Sequence, residues 1–319
     1  MAVYTQVDDH TLSAFLDMYD VGTATSFKGI AEGVENSNYL LETTGGQFIL
    51  TLYEKRANPA DLPYFLDMME HLAADGMPAP LPIRDKTGAS LQTLSGRPAC
   101  LISFLRGVSV NHMTDAHCAA LGETLAEMHN SLQSYTQTRP NDLSLKGWQK
   151  LASDTQNGAD SVEAGLKTII FNELEYLASN WPSNLPSGNI HADLFPDNVL
   201  FTGTKITGLI DFYFGCTDML AYDIAVCINA WCFDADHTFQ ATRAKRLTEM
   251  YDSVRRLSAA EIDALPILCR GAALRFLLTR LYDWLNPVKG AVVRPKDPLD
   301  YLKRLQFHQS VKDTASYVV

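Results

Sequence analysis

The residues best suited to chemistry lie close together in the chain. Asn189-Ile190-His191-Ala192-Asp193-Leu194-Phe195-Pro196-Asp197-Asn198-Val199-Leu200 carries the spacing H-x-D-L-x-x-x-N. Gly208-Leu209-Ile210-Asp211-Phe212-Tyr213-Phe214-Gly215 follows, a D-F-G with two extra residues before its glycine. Moving a phosphoryl group onto an alcohol requires an acceptor for the hydroxyl proton and oxygen ligands for magnesium on adjoining loops. Asp193 has the position of the acceptor, and Asn198 and Asp211 have those of the ligands. Singly, each would be explained as a helix cap or turn former. The fixed spacing, the apolar and β-branched flanks and the Ile-Asp-Phe that closes the next β interval favour the chemical reading. Thr202-Gly203-Thr204-Lys205 makes a turn inside that interval. A hairpin is therefore expected to return Asp211 beside Asn198.

Those loops need a scaffold, and hydrophobic periodicity outlines one. Leu12, Phe15, Leu16 and Tyr19 follow helical spacing. Tyr39-Leu40-Leu41, the turn Thr43-Thr44-Gly45-Gly46 and residues 47–53 read as a hairpin. A helix is predicted over 61–74 with Gly76 as its stop, and strands resume through 104. From Thr114 the pattern is mainly helical, with Leu121, Leu125 and Met128 on one face. Further helices are expected over 162–179, 219–232, 238–252, 259–284 and 297–312. A β-rich first third before a helical remainder predicts two lobes in an α+β architecture. The expected division is 1–104 and 105–319.

Composition removes several classes of function. The chain has 319 residues, 46% of them hydrophobic and 20% charged, as in a soluble globular protein. Its 26 Lys and Arg against 37 Asp and Glu leave a net charge of −11. A surface that tracks phosphates needs clustered cations, so nucleic acid and anionic membranes are poor partners. Six cysteines form no C-x-x-C pair and sit among apolar neighbours, which predicts reduced, buried thiols and no structural zinc. The start, MAVYTQVDDH, lacks the basic and apolar regions of a signal peptide, and a cytoplasmic location is expected. The P-loop pattern G-x-x-x-x-G-K-[ST] is absent. Only eleven residues separate Asp211 from Asp223, too few for the activation segment on which protein kinases dock a peptide.

The run G-N-I-H-A-D-L-F-P-D-N-V-L-F, then I-T-G-L-I-D-F, resembles the aminoglycoside phosphotransferase and choline kinase superfamily. The likeness extends over nearly the whole chain. Gly76-Met77-Pro78-Ala79-Pro80 is similar to its G-x-P-x-P turn. Residues 121–129 are similar to its L-G-x-x-L-A-x-L-H helix, and Ala221-Tyr222-Asp223-Ile224-Ala225 to its Y-D-L-A helix start. Residues 33–39 and 272–284 most resemble the homoserine kinase branch. The resemblance implies the bilobal protein-kinase fold, ATP and Mg2+ as cofactors, and a small-molecule alcohol as acceptor. Within the branch that alcohol is the side-chain hydroxyl of L-homoserine, on the route to threonine. Choline, ethanolamine, methylthioribose and aminoglycosides remain alternatives, as does a nucleotide-binding pseudokinase.

The same likeness assigns supporting roles. Gly33, Asn36, Ser37 and Asn38 lie where the family's loop covers the phosphates, and Ser103-Phe104-Leu105 where its hinge meets adenine. Asp223 is expected to anchor the backbone of the catalytic loop, which His191 braces. The family's third-strand Lys or Arg is replaced by Thr51, leaving Lys55 or Arg56 to reach back or to be surface residues. An amino-acid substrate needs a cation for its carboxylate. Arg275 is one candidate and shares a helix face with Thr279, while Arg280 can pair with Asp283. A structural ion pair is an equal reading of either arginine. The tail carries Arg294, Lys296, Lys303, Arg304 and Lys312 among few acids, which disfavours polycationic aminoglycosides.

Overall fold

The computed structural model describes residues 5–30, 36–54, 58–287 and 295–318, and the chain divides into two compact units. The first takes in the described residues up to Arg106 together with Gly208–Tyr213. The second holds the described residues of Gly107–Thr207, Phe214–Lys289 and Pro295–Val319. Gly208–Tyr213 joins the first unit through specific bonds. Leu209 N–H donates to the Pro78 carbonyl at 2.7 Å, and the Tyr53 hydroxyl donates to that of Tyr213 at 3.1 Å.

The first unit opens with α1 (Asp9–Leu16), where the Asp8 carboxylate accepts from Thr11 N–H at 2.8 Å. That bond satisfies a donor the first helical turn leaves open. The strands are β1 (Ala24–Gly29), β2 (Ser37–Thr43), β3 (Gly46–Leu52), β4 (Gln92–Leu94) and β5 (Arg97–Ser103). They pair antiparallel in the order β1-β2-β3-β5-β4. Burial alternates along β2, as a strand with one core face requires. Leu12, Phe15 and Leu16 of α1 pack with Tyr39, Leu41, Leu50, Leu52 and Leu101 of the sheet. Between β3 and β4, α2 (Leu62–Ala74) ends before Gly76, whose φ of +81° supplies the left-handed residue that stops a helix. The predicted hairpin is β2–β3. β1 was not predicted, because its residues show no alternation; pairing with β2 alone makes it a strand.

The second unit is built from α3 (Asp115–Ser131), α4 (Leu145–Thr155), α5 (Ala159–Val162) and α6 (Leu166–Asn180), then β6 (Ser187–Ile190). β7 (Val199–Thr202) and β8 (Lys205–Leu209) form the predicted hairpin, and β9 (Cys216–Met219) returns antiparallel to β6. α7 (Leu220–Trp231), α8 (Ala241–Val254), α9 (Ala259–Leu285) and α10 (Leu299–Ser310) complete it. Every residue of α7 is buried, the condition that suits a helix apolar on all sides. Gly122 in α3 is a packing residue: a Cβ there would lie 2.0 Å from the Leu247 carbonyl oxygen of α8. α4 and the pairing of β6 with β9 went unpredicted. All six cysteines are free and buried. Among the described residues, no helix is long and apolar enough to cross a membrane.

A polar network runs through this core. His308 Nδ1 lies 2.7 Å from the Tyr317 hydroxyl and its Nε2 3.2 Å from Asn229 Oδ1, while Asn229 Nδ2 donates to the carbonyls of Ala225 and Cys269. Burial, aided by Arg304 and Arg270, pushes the His308 imidazole down to about 3 from 6.5. It is neutral in the fold and takes a proton when the chain unfolds in mild acid. Its contribution is complete above pH 6.5 and is lost as pH falls toward 3, at roughly 1 kcal/mol per pH unit. Urea midpoints between neutral pH and about pH 4 should therefore decline less steeply in His308→Gln than in the wild type. An unchanged slope would contradict a buried neutral imidazole.

Candidate active site

The loop after β6 is held in place mainly by side chains. Asn198 is returned toward Asp193 by a single 3-10 turn over Pro196–Asn198. Its Nδ2 donates to the Asp193 carbonyl at 2.8 Å and to Asp193 Oδ2 at 3.2 Å. With the amide nitrogen so used, Asn198 Oδ1 is the atom left for a cation. Asp193 N–H donates to His191 Nδ1 at 3.2 Å, so His191 braces the loop, and Trp231 Nε1 donates to the Leu194 carbonyl at 2.7 Å. Ala192 has φ +63°, a left-handed conformation that a residue with a Cβ adopts only when its surroundings over-determine it.

Asp223 supplies much of that determination. One of its oxygens accepts from Ala192 N–H and the other from His191 N–H, both at 2.8 Å. The second oxygen also faces His129 Nε2 at 3.2 Å. A carboxylate cannot donate, so His129 carries its proton on Nε2, and Nδ1 then accepts from the Tyr251 hydroxyl at 2.7 Å. Burial by itself would raise the Asp223 carboxyl, yet the hydrogen bond from His129, followed by the influence of His191, holds it below its ordinary value. Asp223 and His129 thus form the structural anchor of the loop.

Arg275, a candidate for gripping substrate, lies beneath the loop and is almost wholly buried. Its Nη1 donates to the Ala192 carbonyl and its Nη2 stands 3.7 Å from Asp193 Oδ1. The guanidinium also stacks 4.5 Å from the Phe276 ring centroid. Arg280 pairs with Asp300 Oδ2 at 3.1 Å, twenty residues further along the chain, where α10 packs against α9.

In the first unit, Gly33, Lys55 and Arg56 lie outside the described residues. Asn36 Oδ1 accepts from Glu54 N–H at 3.4 Å. The Ser37 hydroxyl is buried, donating to Glu54 Oε1 at 2.7 Å and accepting from Thr5 N–H at 3.1 Å. Asn38 Oδ1 accepts from the Thr51 hydroxyl at 2.8 Å. These side chains are therefore engaged with their neighbours, and Thr51 occupies its place as a buried hydrogen-bonding residue. Ser103 N–H donates to the Leu81 carbonyl and its hydroxyl accepts from Leu81 N–H, both at 2.9 Å, while Phe104 N–H donates to the Gln47 carbonyl at 3.3 Å. Leu105 follows at the end of the unit. Asp211 has φ +66° and neighbours Tyr213, whose ring meets Tyr53 edge-on at 5.2 Å.

Among the described residues, no group of three or more His, Cys, Asp or Glu is arranged to hold a metal. An amide oxygen and a carboxylate, from Asn198 and Asp211, are hard donors of the kind magnesium takes when phosphates and water complete its shell. Trp231 and Tyr251 carried no recognisable signal in the sequence, since each acts through a contact far along the chain.

A backbone pinned by one buried carboxylate, presenting a second beside an amide, is an arrangement that suits phosphoryl transfer to an alcohol. Residues 26–257 match the Phosphotransferase enzyme family, and the chain belongs to it. It is 56% identical over 317 residues to the homoserine kinase of Xanthobacter autotrophicus, covering 99% of each chain. It is also 56% identical over 318 residues to the homoserine kinase of Bradyrhizobium diazoefficiens, covering 99% of this chain and 97% of that one. The fold is shared with an amicoumacin kinase solved with AMP-PNP and Ca2+, at a TM-score of 0.69 and 13% identity, over 95% and 94% of the two chains.

Proposed function

We propose that the chain transfers the γ-phosphoryl group of ATP to the side-chain hydroxyl of L-homoserine, giving O-phospho-L-homoserine and ADP in threonine biosynthesis. Full-length identity of 56% to homoserine kinases supports the substrate. The observation that carries the chemistry is Asp193, held by Asn198 at 3.2 Å on a backbone that Asp223 pins. In this reading the new bond joins the homoserine oxygen to the γ-phosphorus, and the bond to the β,γ-bridging oxygen breaks. Asp193 orients the hydroxyl and takes its proton late, as a loose transition state requires. Arg275 fixes the carboxylate's direction. Mg2+ would be held by Asn198 and Asp211, and when bound it neutralises charge on the transferred phosphate. Six free, buried thiols fit a reducing cytoplasm.

ADP release measured with L-homoserine, choline, ethanolamine, methylthioribose and an aminoglycoside tests the substrate. Homoserine failing while another alcohol succeeds would overturn it. Thr51, bonded to Asn38 in place of a cation, motivates a second reading, a nucleotide-binding protein without turnover; binding of ATP with no ADP release on any alcohol would establish that. For Asp211→Ala, magnesium-dependent ATP affinity should fall by about tenfold or more, as read by equilibrium titration. Unchanged affinity would remove Asp211 from the metal.

A further inference from the structure

Beside the catalytic loop, the second unit contains a cavity of about 280 Å³ whose wall includes Arg280, Arg304, Lys296, Asp197, Asn111 and Phe195. Three cations around one small cavity are unexpected in a chain of net charge −11. Two of them are already committed to carboxylates: Arg280 to Asp300 at 3.1 Å, and Lys296 to Asp197 at 3.2 Å in an exposed pair at the rim. Arg304 is different. Its Nη1 donates to the Asn229 carbonyl, its Nε is buried without a hydrogen-bond partner, and no carboxylate pairs with it among the described residues. The guanidinium lies 4.6 Å from the Tyr301 ring centroid, and that of Arg280 lies 4.5 Å from the same ring. Both guanidiniums thus meet the Tyr301 ring, whose own buried hydroxyl has no hydrogen-bond partner.

An unneutralised, partly desolvated guanidinium is costly unless an anion completes it. The position narrows which anion. Phe195 lines the cavity and stands two residues after Asp193, so at most about 7 Å of chain separates them. Asp193 N–H and Phe195 N–H both belong to the same tight loop, the latter donating to the Asp193 carbonyl at 2.8 Å. An extended four-carbon hydroxy acid is about 5 Å from hydroxyl to carboxylate. Its length is of the order of that chain separation, whereas a free phosphate is too small to serve both ends.

We propose that this cavity is the acceptor's carboxylate site, with Arg304 as the primary cation and Arg280 beside it. The assignment rests on the functional reading above and deepens it, because it makes the enzyme select alcohols that carry a carboxylate. Asp197 lines the same cavity and is its acidic residue, the one to receive the α-ammonium once its exposed bond to Lys296 opens.

The test compares kcat/KM for L-homoserine and L-homoserinamide, which replaces the carboxylate by a neutral amide, in the wild type, Arg304→Gln and Arg280→Gln. The wild type should prefer the acid by roughly 10- to 100-fold. Arg304→Gln should lose that preference through a higher KM for homoserine, with the KM for ATP within about twofold. Equal use of acid and amide by the wild type would overturn the proposal, as would a folded Arg304→Gln that keeps the preference. Should Arg304→Gln fail to fold, retention of the preference by Arg280→Gln overturns it and loss supports it. If the wild type releases no ADP with homoserine, the functional reading fails, and the cavity is then read by calorimetry. L-2-aminobutyrate, which has the carboxylate and no hydroxyl, should bind the wild type and not the arginine variants; no binding to the wild type overturns the site.

Discussion

Asp193→Asn should lower kcat by about a hundred- to ten-thousandfold while leaving ATP affinity within about twofold of the wild type. The substitution keeps the size of the side chain and an oxygen able to accept from Asn198 Nδ2, now at 3.2 Å. It removes the negative charge that would take the hydroxyl proton. It also removes the charge facing Arg275 Nη2 at 3.7 Å, leaving a buried guanidinium with the Ala192 carbonyl and the Phe276 ring. Some loss of stability should follow, so ADP release is to be measured on protein shown by thermal unfolding to be folded at assay temperature. A folded variant that turns over at the wild-type rate removes Asp193 from the chemistry.

Asp223→Asn should produce the largest structural effect. The carboxylate accepts three bonds with no access to water, from His191 N–H, Ala192 N–H and His129 Nε2. An amide replaces one acceptor oxygen by a donor NH2, which must then confront another donor. The expected cost is about 2–5 kcal/mol, read as a lower urea midpoint with an unchanged m-value. Turnover should fall with it, because Ala192 at φ +63° no longer has the bonds that hold it there. The acid limb offers a check on sign. The Asp223 carboxyl is held low in the fold, so its stabilising contribution is present above its ordinary value of 3.8 and is lost as pH drops through the lower folded value. The asparagine variant should lack that limb. A variant as stable as the wild type would show that the loop is held by other means.

Much of the architecture was legible because it depends on local pattern. The period of α1, the stop at Gly76, the β2–β3 turn and the 3.6-residue spacing of α3 and α9 each follow from residues within one or two turns of one another. The catalytic loop was legible for a different reason: its residues are neighbours in the chain, so their spacing survives in the sequence. β1, α4 and the β6–β9 pair were not legible, since an edge strand or a short helix with weak alternation becomes one only when a partner covers it. Asn36, Ser37 and Asn38 show the converse. The resemblance set their backbone N–H groups against phosphate and left their side-chain partners unassigned, which folding supplied in Glu54, Thr5 and Thr51.

By itself the sequence determined the class of chemistry, because a carboxylate and an amide five residues apart, Asp193 and Asn198, in a motif of fixed spacing are a property of the covalent chain. Only the tertiary structure decided what each cation is for. Arg275 went beneath the loop, Arg280 to Asp300, and Arg304 to a cavity wall where, among the described residues, no carboxylate pairs with it. Charge pairing is set by distance and burial, and residues brought together from α9, α10 and the catalytic loop acquire both only when the helices pack.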